Sequence, residues 1–282
     1  MATGQPFTLE APSSGAVLDG YLHAPAGDAP GPAIVAAHGF KGFMEWGFFP
    51  YLADLLSDRG FVFVRFNFSG AGMRPGDELV TDLEAFRRNT FTRELGELLD
   101  VLDATAVGRL APGRVDPARL GLFGHSRGGG IALLAAAHPT WSGRLRALVT
   151  WAAVSTFERL GEPEQAEWRR RGWYPVINLR TGQELLLGTE ILDDYAAHSP
   201  ALDLAAAARR RGVPWLIVHG DQDETVPVDE ARALAAAAAP PSELLIVPDG
   251  DHGLGGRHPF PGPQPPLIQA LNATQTWFRK WL

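Results

Sequence analysis

The pentapeptide Gly124-His125-Ser126-Arg127-Gly128 stands between a short apolar run, Leu120–Phe123, and a stretch of helical composition, Gly129–Ala137. A G-x-S-x-G between a strand and a helix constrains this chain more than any other feature. The reversal is so sharp that the serine must take strained dihedral angles, and the flanking glycines leave room for the backbones crowding it. The serine hydroxyl then stands beyond the end of the strand. The N–H groups and dipole of the helix starting beside it favour negative charge at the same place. Taken alone, the pentapeptide also fits a glycine-rich turn with an incidental serine, so the rest of the chain has to decide.

That remainder reads as an alternation. Apolar runs predict strands at Ala33–Ala37, Phe61–Phe66, Leu120–Phe123, Leu145–Ala152, Trp215–His219 and Glu243–Val247. Helices are predicted at Phe49–Ser57, Arg93–Ala104, Gly129–Ala137, Val228–Ala239 and Leu267–Trp281, the first of them stopped by the glycine of Arg59-Gly60. Strands alternating with helices imply an α/β fold, with a mostly parallel central sheet flanked by helices on both faces. A chain of 282 residues is ample for one such domain, spanning 1–282. One stretch breaks the rhythm. Roughly sixty residues separate Ala153 from the strand at Trp215, several times an ordinary connection. Within it, Thr156–Ser199 carries Trp168, Trp173 and Tyr174 and a predicted helix at Thr189–Ala197. We read 156–199 as a lid inserted at the C-terminal edge of the sheet.

Composition removes whole classes of function. A net charge of −7 and a pI near 5.6 leave no electrostatic footprint for nucleic acid or an anionic membrane. Without cysteine there is no disulfide, thiolate nucleophile or Cys-ligated metal. The histidines show no H-E-x-x-H type of spacing, so neither a metal nor another cofactor is expected. The N-terminus lacks a basic segment followed by an apolar run, and no apolar stretch is long enough to span a bilayer. A cytoplasmic location is therefore expected, and the oligomeric state is left open.

The segment His219–Pro227 follows one apolar strand, and Asp249–Gly253 follows the next. In such a sheet both loops lie at the C-terminal strand ends, beside Ser126. A serine hydroxyl is a poor nucleophile near neutral pH. It needs an imidazole to take its proton, and the imidazole needs a carboxylate to hold its tautomer. Ser126 is thus the candidate nucleophile, His252 the general base, and Asp221 or Asp223 the orienting acid. Asp251 is expected to shape its loop, and His38, His125 and His219 to be buried structural residues.

On His38-Gly39-Phe40, Gly124–Gly129, His219–Pro227 and Asp251-His252-Gly253, the chain resembles the α/β-hydrolase superfamily. Within it, the chain is most similar to dienelactone hydrolase-like and prolyl-oligopeptidase-like esterases, from about Ile34 onward. The resemblance implies the α/β-hydrolase fold and the chain order Ser126, Asp223, His252. It selects Asp223 by its register after His219-Gly220 and leaves Asp221 as a turn residue. It also implies an oxyanion hole of backbone N–H groups from Phe40 and Arg127. Dienelactone hydrolases proper carry a cysteine where this chain has Ser126, which argues for general ester hydrolysis. The expected activity is that of a carboxylic ester hydrolase forming an acyl-Ser126 intermediate. Its partner would be a small-molecule ester with a small to medium acyl group, aromatic ones included. Trp46, Trp168 and Trp173 are the expected substrate-binding residues. The alternatives are a thioesterase, an acylaminoacyl-type peptidase or, in another class, a non-catalytic ligand receptor on the same fold.

Overall fold

The protein is described by a computed structural model covering residues 4–282. The chain opens with a hairpin, β1 (Gln5–Ala11) and β2 (Ala16–His23), followed by β3 (Gly31–Ala37), α1 (Phe49–Ser57) and β4 (Val62–Phe66). Next come α2 (Leu83–Arg87), α3 (Phe91–Ala106), β5 (Val115–His125), α4 (Arg127–Ala137) and β6 (Leu145–Trp151). The insertion contains α5 (Glu162–Arg171), β7 (Trp173–Asn178), β8 (Gln183–Gly188) and α6 (Glu190–His198). The chain closes with α7 (Leu204–Arg210), β9 (Trp215–Gly220), α8 (Val228–Ala237), β10 (Ser242–Val247) and α9 (Pro265–Trp281).

Eight strands form one sheet in the order β1-β2-β4-β3-β5-β6-β9-β10. From β4 to β10 all neighbours are parallel, while β1 pairs β2, and β2 pairs β4, antiparallel. The strand–helix alternation implied this mostly parallel sheet, and the family resemblance implied the α/β-hydrolase fold that it builds. Side-chain alternation along the parallel strands explains why both faces are covered. Ala33, Val35 and Ala37 of β3 enter one apolar cluster, with residues of α3, α4, α7 and α8. Ile34 and Ala36 enter the other, with α1 and α9. In β9, Trp215 and Ile217 take the first side and Leu216 and Val218 the second. Strands buried on both faces read as continuous apolar runs, which is why they were legible in sequence. The β1–β2 hairpin has no counterpart among the predicted strands. At the sheet edge its residues alternate between exposed and buried, and Gln5, Thr8, Glu10 and Asp19 interrupt the apolar signal.

From β3 the chain steps to β4 on one side and returns to β5 on the other. Strand order reverses there, so the loops leaving β3 and β5 diverge and open a crevice at their C-terminal ends. The insertion stands over this end. Its hairpin β7–β8 forms a separate two-stranded sheet, a unit of marginal stability alone. It is anchored from several sides. The Gln183 amide donates to Val80 O at 2.8 Å and accepts from Val80 N at 3.0 Å, and Trp168 Nε1 donates to Leu187 O at 3.2 Å. Lys41 Nζ donates to Ile177 O at 3.1 Å. Trp168, Leu185, Leu187 and Ile191 are buried in the same apolar cluster as β3 and α4. Among the described residues, no helix is long and apolar enough to cross a membrane.

Candidate active site

Ser126 occupies the single step between β5 and α4, with φ 56° and ψ −125°. Such a conformation is costly for a residue with a side chain and persists only where its surroundings enforce it. Here the glycines show what enforces it. A Cβ on Gly124 would lie 2.5 Å from Gly128 O, and one on Gly128 would lie 2.3 Å from His38 O. The turn is therefore wedged between β3 and its own helix, with no space for a side chain at either position.

The loop after β10 delivers His252. Asp251 Oδ1 accepts the N–H of Gly253 at 3.0 Å and of Gly255 at 2.7 Å, which curls the loop around the imidazole. His252 Nε2 lies 3.1 Å from Ser126 Oγ, and Nδ1 lies 2.8 Å from Asp223 Oδ2. Against a carboxylate Nδ1 must carry the proton, which leaves Nε2 as the acceptor facing the serine hydroxyl. Asp223 is buried and held from several directions. Its Oδ1 accepts the N–H of Thr225 at 2.9 Å and of Val226 at 2.8 Å, and Oδ2 lies 3.2 Å from His219 Nε2. Burial pushes this carboxyl up. Hydrogen bonds from His219 and His252, the nearby His252 charge and the Val226 N–H outweigh it and hold the group well below the usual carboxylate range. Asp221 does not reach His252. Its Oδ1 accepts from Asp249 N at 2.8 Å and ties the two loops together.

The other motif histidines are enclosed. His38 Nδ1 donates to Gly39 O at 2.9 Å, and Nε2 accepts from Phe68 N at 3.1 Å. Burial, with a smaller contribution from the Arg127 charge, lowers its pKa to about 4. His125 sits under Trp46, with ring centroids 6.0 Å apart, and Nε2 donates to His252 O at 2.9 Å. Burial and the neighbouring His252 lower its pKa to about 3. Both are neutral in the folded protein, which has a consequence for stability. Between pH 6.5 and about 4 the unfolded chain protonates His38 while the native site does not, so stability falls as pH falls through that window. The expected loss from His38 is about 3 kcal/mol by pH 4.5. Urea unfolding at pH 7.5 and 4.5 should show a smaller drop for His38→Gln than for the parent. Equal drops would remove His38 from the account.

Arg127 follows the serine directly, and Phe40 follows Gly39, which packs against it. A Cβ on Gly39 would fall 2.8 Å from Ser126 Cβ, so the turn after β3 touches Ser126. Arg127 is the first residue of α4, where an N–H has no partner inside the helix. Among the described residues neither N–H donates to a protein acceptor.

These groups form the floor of a cavity of about 870 Å³. More than half of its lining residues belong to the insertion, including Leu160, Trp168, Ile191 and Tyr195. Trp46 and Trp168 line it as the sequence suggested. Trp173 does not. It is 38% exposed on the outer face of β7, beside Arg171. The strand period of two turns Tyr174, Val176 and Asn178 into the cavity and Trp173, Pro175 and Ile177 away from it. Reading Trp173–Asn178 as a strand would have replaced Trp173 by Tyr174. The basic wall residues Lys41 and Arg127 were also overlooked as side chains, because only the backbone around them carried a motif. Among the described residues, no group of three or more His, Asp or Glu side chains is placed to hold a metal ion.

Comparison with known proteins adds the family context. Residues 46–260 match the prolyl oligopeptidase family. The chain is similar to an uncharacterized 31.7 kDa protein of the traX-finO intergenic region of Escherichia coli, 24% identical over 92% of this chain and 94% of that protein. It is also similar to the 2,6-dihydropseudooxynicotine hydrolase of Paenarthrobacter nicotinovorans, 26% identical over 84% of this chain and 58% of that one. Among solved structures, Est1E from Butyrivibrio proteoclasticus with ferulic acid bound superposes with a TM-score of 0.72. The match covers 98% of both chains at 20% identity, a likeness of fold.

Proposed function

This chain belongs to the prolyl oligopeptidase family and is a hydrolase, and we propose that it is a serine hydrolase of carboxylic esters. The observation that carries the proposal is the relay on the cavity floor: Ser126 Oγ at 3.1 Å from His252 Nε2, and His252 Nδ1 at 2.8 Å from Asp223. His252 takes the proton as Ser126 attacks the ester carbonyl. Asp223 holds the imidazole and offsets the positive charge it gains. The N–H groups of Phe40 and Arg127 receive the oxyanion. The alkoxide leaves with the proton from His252, and water activated by the same imidazole releases the acid from acyl-Ser126.

The cavity supports an ester carrying a medium-sized, largely apolar acyl group. Its volume, about 870 Å³, lies at the upper end of ordinary ligand pockets, and Phe91, Phe157, Trp168 and Tyr174 line it. The ferulic acid bound in Est1E is an aromatic acid, which fits the same class. The test is a panel of p-nitrophenyl esters, acyl-CoA thioesters and peptide amides, together with labelling by a fluorophosphonate. Esters of aromatic and medium-chain acids should be turned over fastest. Dominant amide cleavage would replace this reading by a peptidase, dominant thioester cleavage by a thioesterase, and an unlabelled folded protein by a ligand receptor.

We propose further that the segment 156–199 acts as a lid that sets acyl selectivity. Trp168→Ala should change the kcat/KM ratio between p-nitrophenyl benzoate and acetate by about 1–3 kcal/mol, the usual scale of a pocket contact. Trp173→Ala should leave that ratio alone, since its side chain faces outward. The same profile in the parent and in Trp168→Ala would make that tryptophan a packing residue.

A further inference from the structure

The two N–H groups of the oxyanion site come from segments far apart in sequence, and their spacing has to be set by packing. The Arg127 side chain spans the gap. Its guanidinium carbon lies 4.2 Å from the centre of the Phe40 ring and 5.7 Å from that of Phe91. The Phe40 ring is stacked in turn on Phe86, with centroids 5.6 Å apart. Arg127 Nη2 donates to Glu94 Oε1 at 2.7 Å, and the same oxygen accepts from Asn89 Nδ2 at 2.6 Å. Both partners are enclosed, with 12% and 5% of their side chains exposed. The pair is not the bidentate fork that an Arg–carboxylate contact takes when hydrogen bonding alone decides. Among the described residues, Arg127 Nε is buried without an acceptor. The guanidinium lies over the Phe40 ring with that hydrogen bond unmade. An enclosed pair of this kind is weak evidence for stability, since apolar replacements are often neutral.

We propose that Arg127, through its side chain, and Glu94 are positioning residues that hold the two oxyanion donors at their working separation, an inference that rests on the serine-hydrolase reading above. Arg127 contributes its N–H to the oxyanion and its guanidinium to the seating of Phe40. Glu94 fixes the guanidinium. The contact matters most in the transition state, when the oxyanion demands short hydrogen bonds from both donors at once.

The test uses variants that keep every backbone N–H. Kinetics on a p-nitrophenyl ester are normalised to active sites titrated with a fluorophosphonate, alongside the affinity of a boronic acid that forms a tetrahedral adduct with the serine. Complete loss of one donor costs about 10²–10³-fold in kcat, so a loosened one should cost about 10–100-fold. Arg127→Met should therefore lose about 10–100-fold in kcat with KM within about two-fold, and boronic acid affinity should fall in parallel. Glu94→Gln should show the same kcat-selective loss at smaller size. Arg127→Lys, with charge but no flat face, should recover only part of the activity. If Arg127→Met does not fold, Phe40→Leu carries the test and should show the same pattern. Unchanged kcat and boronic acid affinity overturn the proposal, and so does a rise in KM alone, which would mean direct substrate contact. Failure of the underlying reading is recognised separately, by a parent protein that does not label and a Ser126→Ala variant as active as the parent, and it removes this proposal as well.

Discussion

Ser126→Ala is expected to lower kcat on p-nitrophenyl butyrate by about 10⁵-fold or more, while the fold and ester binding survive. The serine is 9% exposed, and among the described residues its Oγ has one side-chain partner, His252 Nε2 at 3.1 Å. Removing the oxygen leaves no buried donor stranded, because Nε2 is an acceptor that water can reach from the cavity. The strain at φ 56° remains, since alanine also carries a Cβ. Unfolding should therefore be little changed. His252→Ala should cost about as much as Ser126→Ala, and the double variant little more, because residues acting as one unit are not additive. Turnover by purified Ser126→Ala within ten-fold of the parent would mean that another group attacks the substrate.

Asp223→Asn should cost about 10⁴-fold in kcat, the scale for an imidazole held in the wrong tautomer. Every group facing Asp223 is a donor: Thr225 N and Val226 N at Oδ1, and His252 Nδ1 and His219 Nε2 at Oδ2. An asparagine must turn its NH₂ toward one pair. Facing the backbone it would forfeit two buried hydrogen bonds, so it faces His252. There it donates to Nδ1, the imidazole proton moves to Nε2, and no base faces Ser126. Stability should change with a definite pH signature. The native Asp223 carboxyl is held below its ordinary range. Its contribution is thus complete above the unfolded value near 4 and is lost as pH falls through the lowered native one. The stability gap between parent and Asp223→Asn should be widest at neutral pH and narrow below about pH 4. Asp221→Asn is the control. Among the described residues its Oδ1 accepts from Asp249 N and the adjacent Gln222 amide, so kcat should stay within a few-fold of the parent. A full loss in Asp221→Asn with activity kept in Asp223→Asn would reverse the assignment of the orienting acid.

What the sequence determined by itself is local. The parallel strands were legible because burial on both faces writes continuous apolar runs, as in Ala33–Ala37 and Trp215–His219. The strained turn at Ser126 was legible because only glycine fits at 124 and 128. The loops carrying Asp223 and His252 could be placed at one sheet edge because each follows a strand of the same direction. The edge hairpin β1–β2 and the hairpin β7–β8 escaped notice. Each is half-exposed, and its hydrophobic period is diluted by polar residues or by proline. Their outcome, including Tyr174 facing inward and Trp173 outward, depends on which face of the hairpin meets the core. The residues alone left Asp221 and Asp223 as equals; in the fold one reaches His252 and the other closes a turn. Glu94 and Arg127 carry no mutual signal across a separation of 33 positions. They meet because α3 and α4 cover the same face of the sheet, and such pairing follows from packing, which no local propensity encodes.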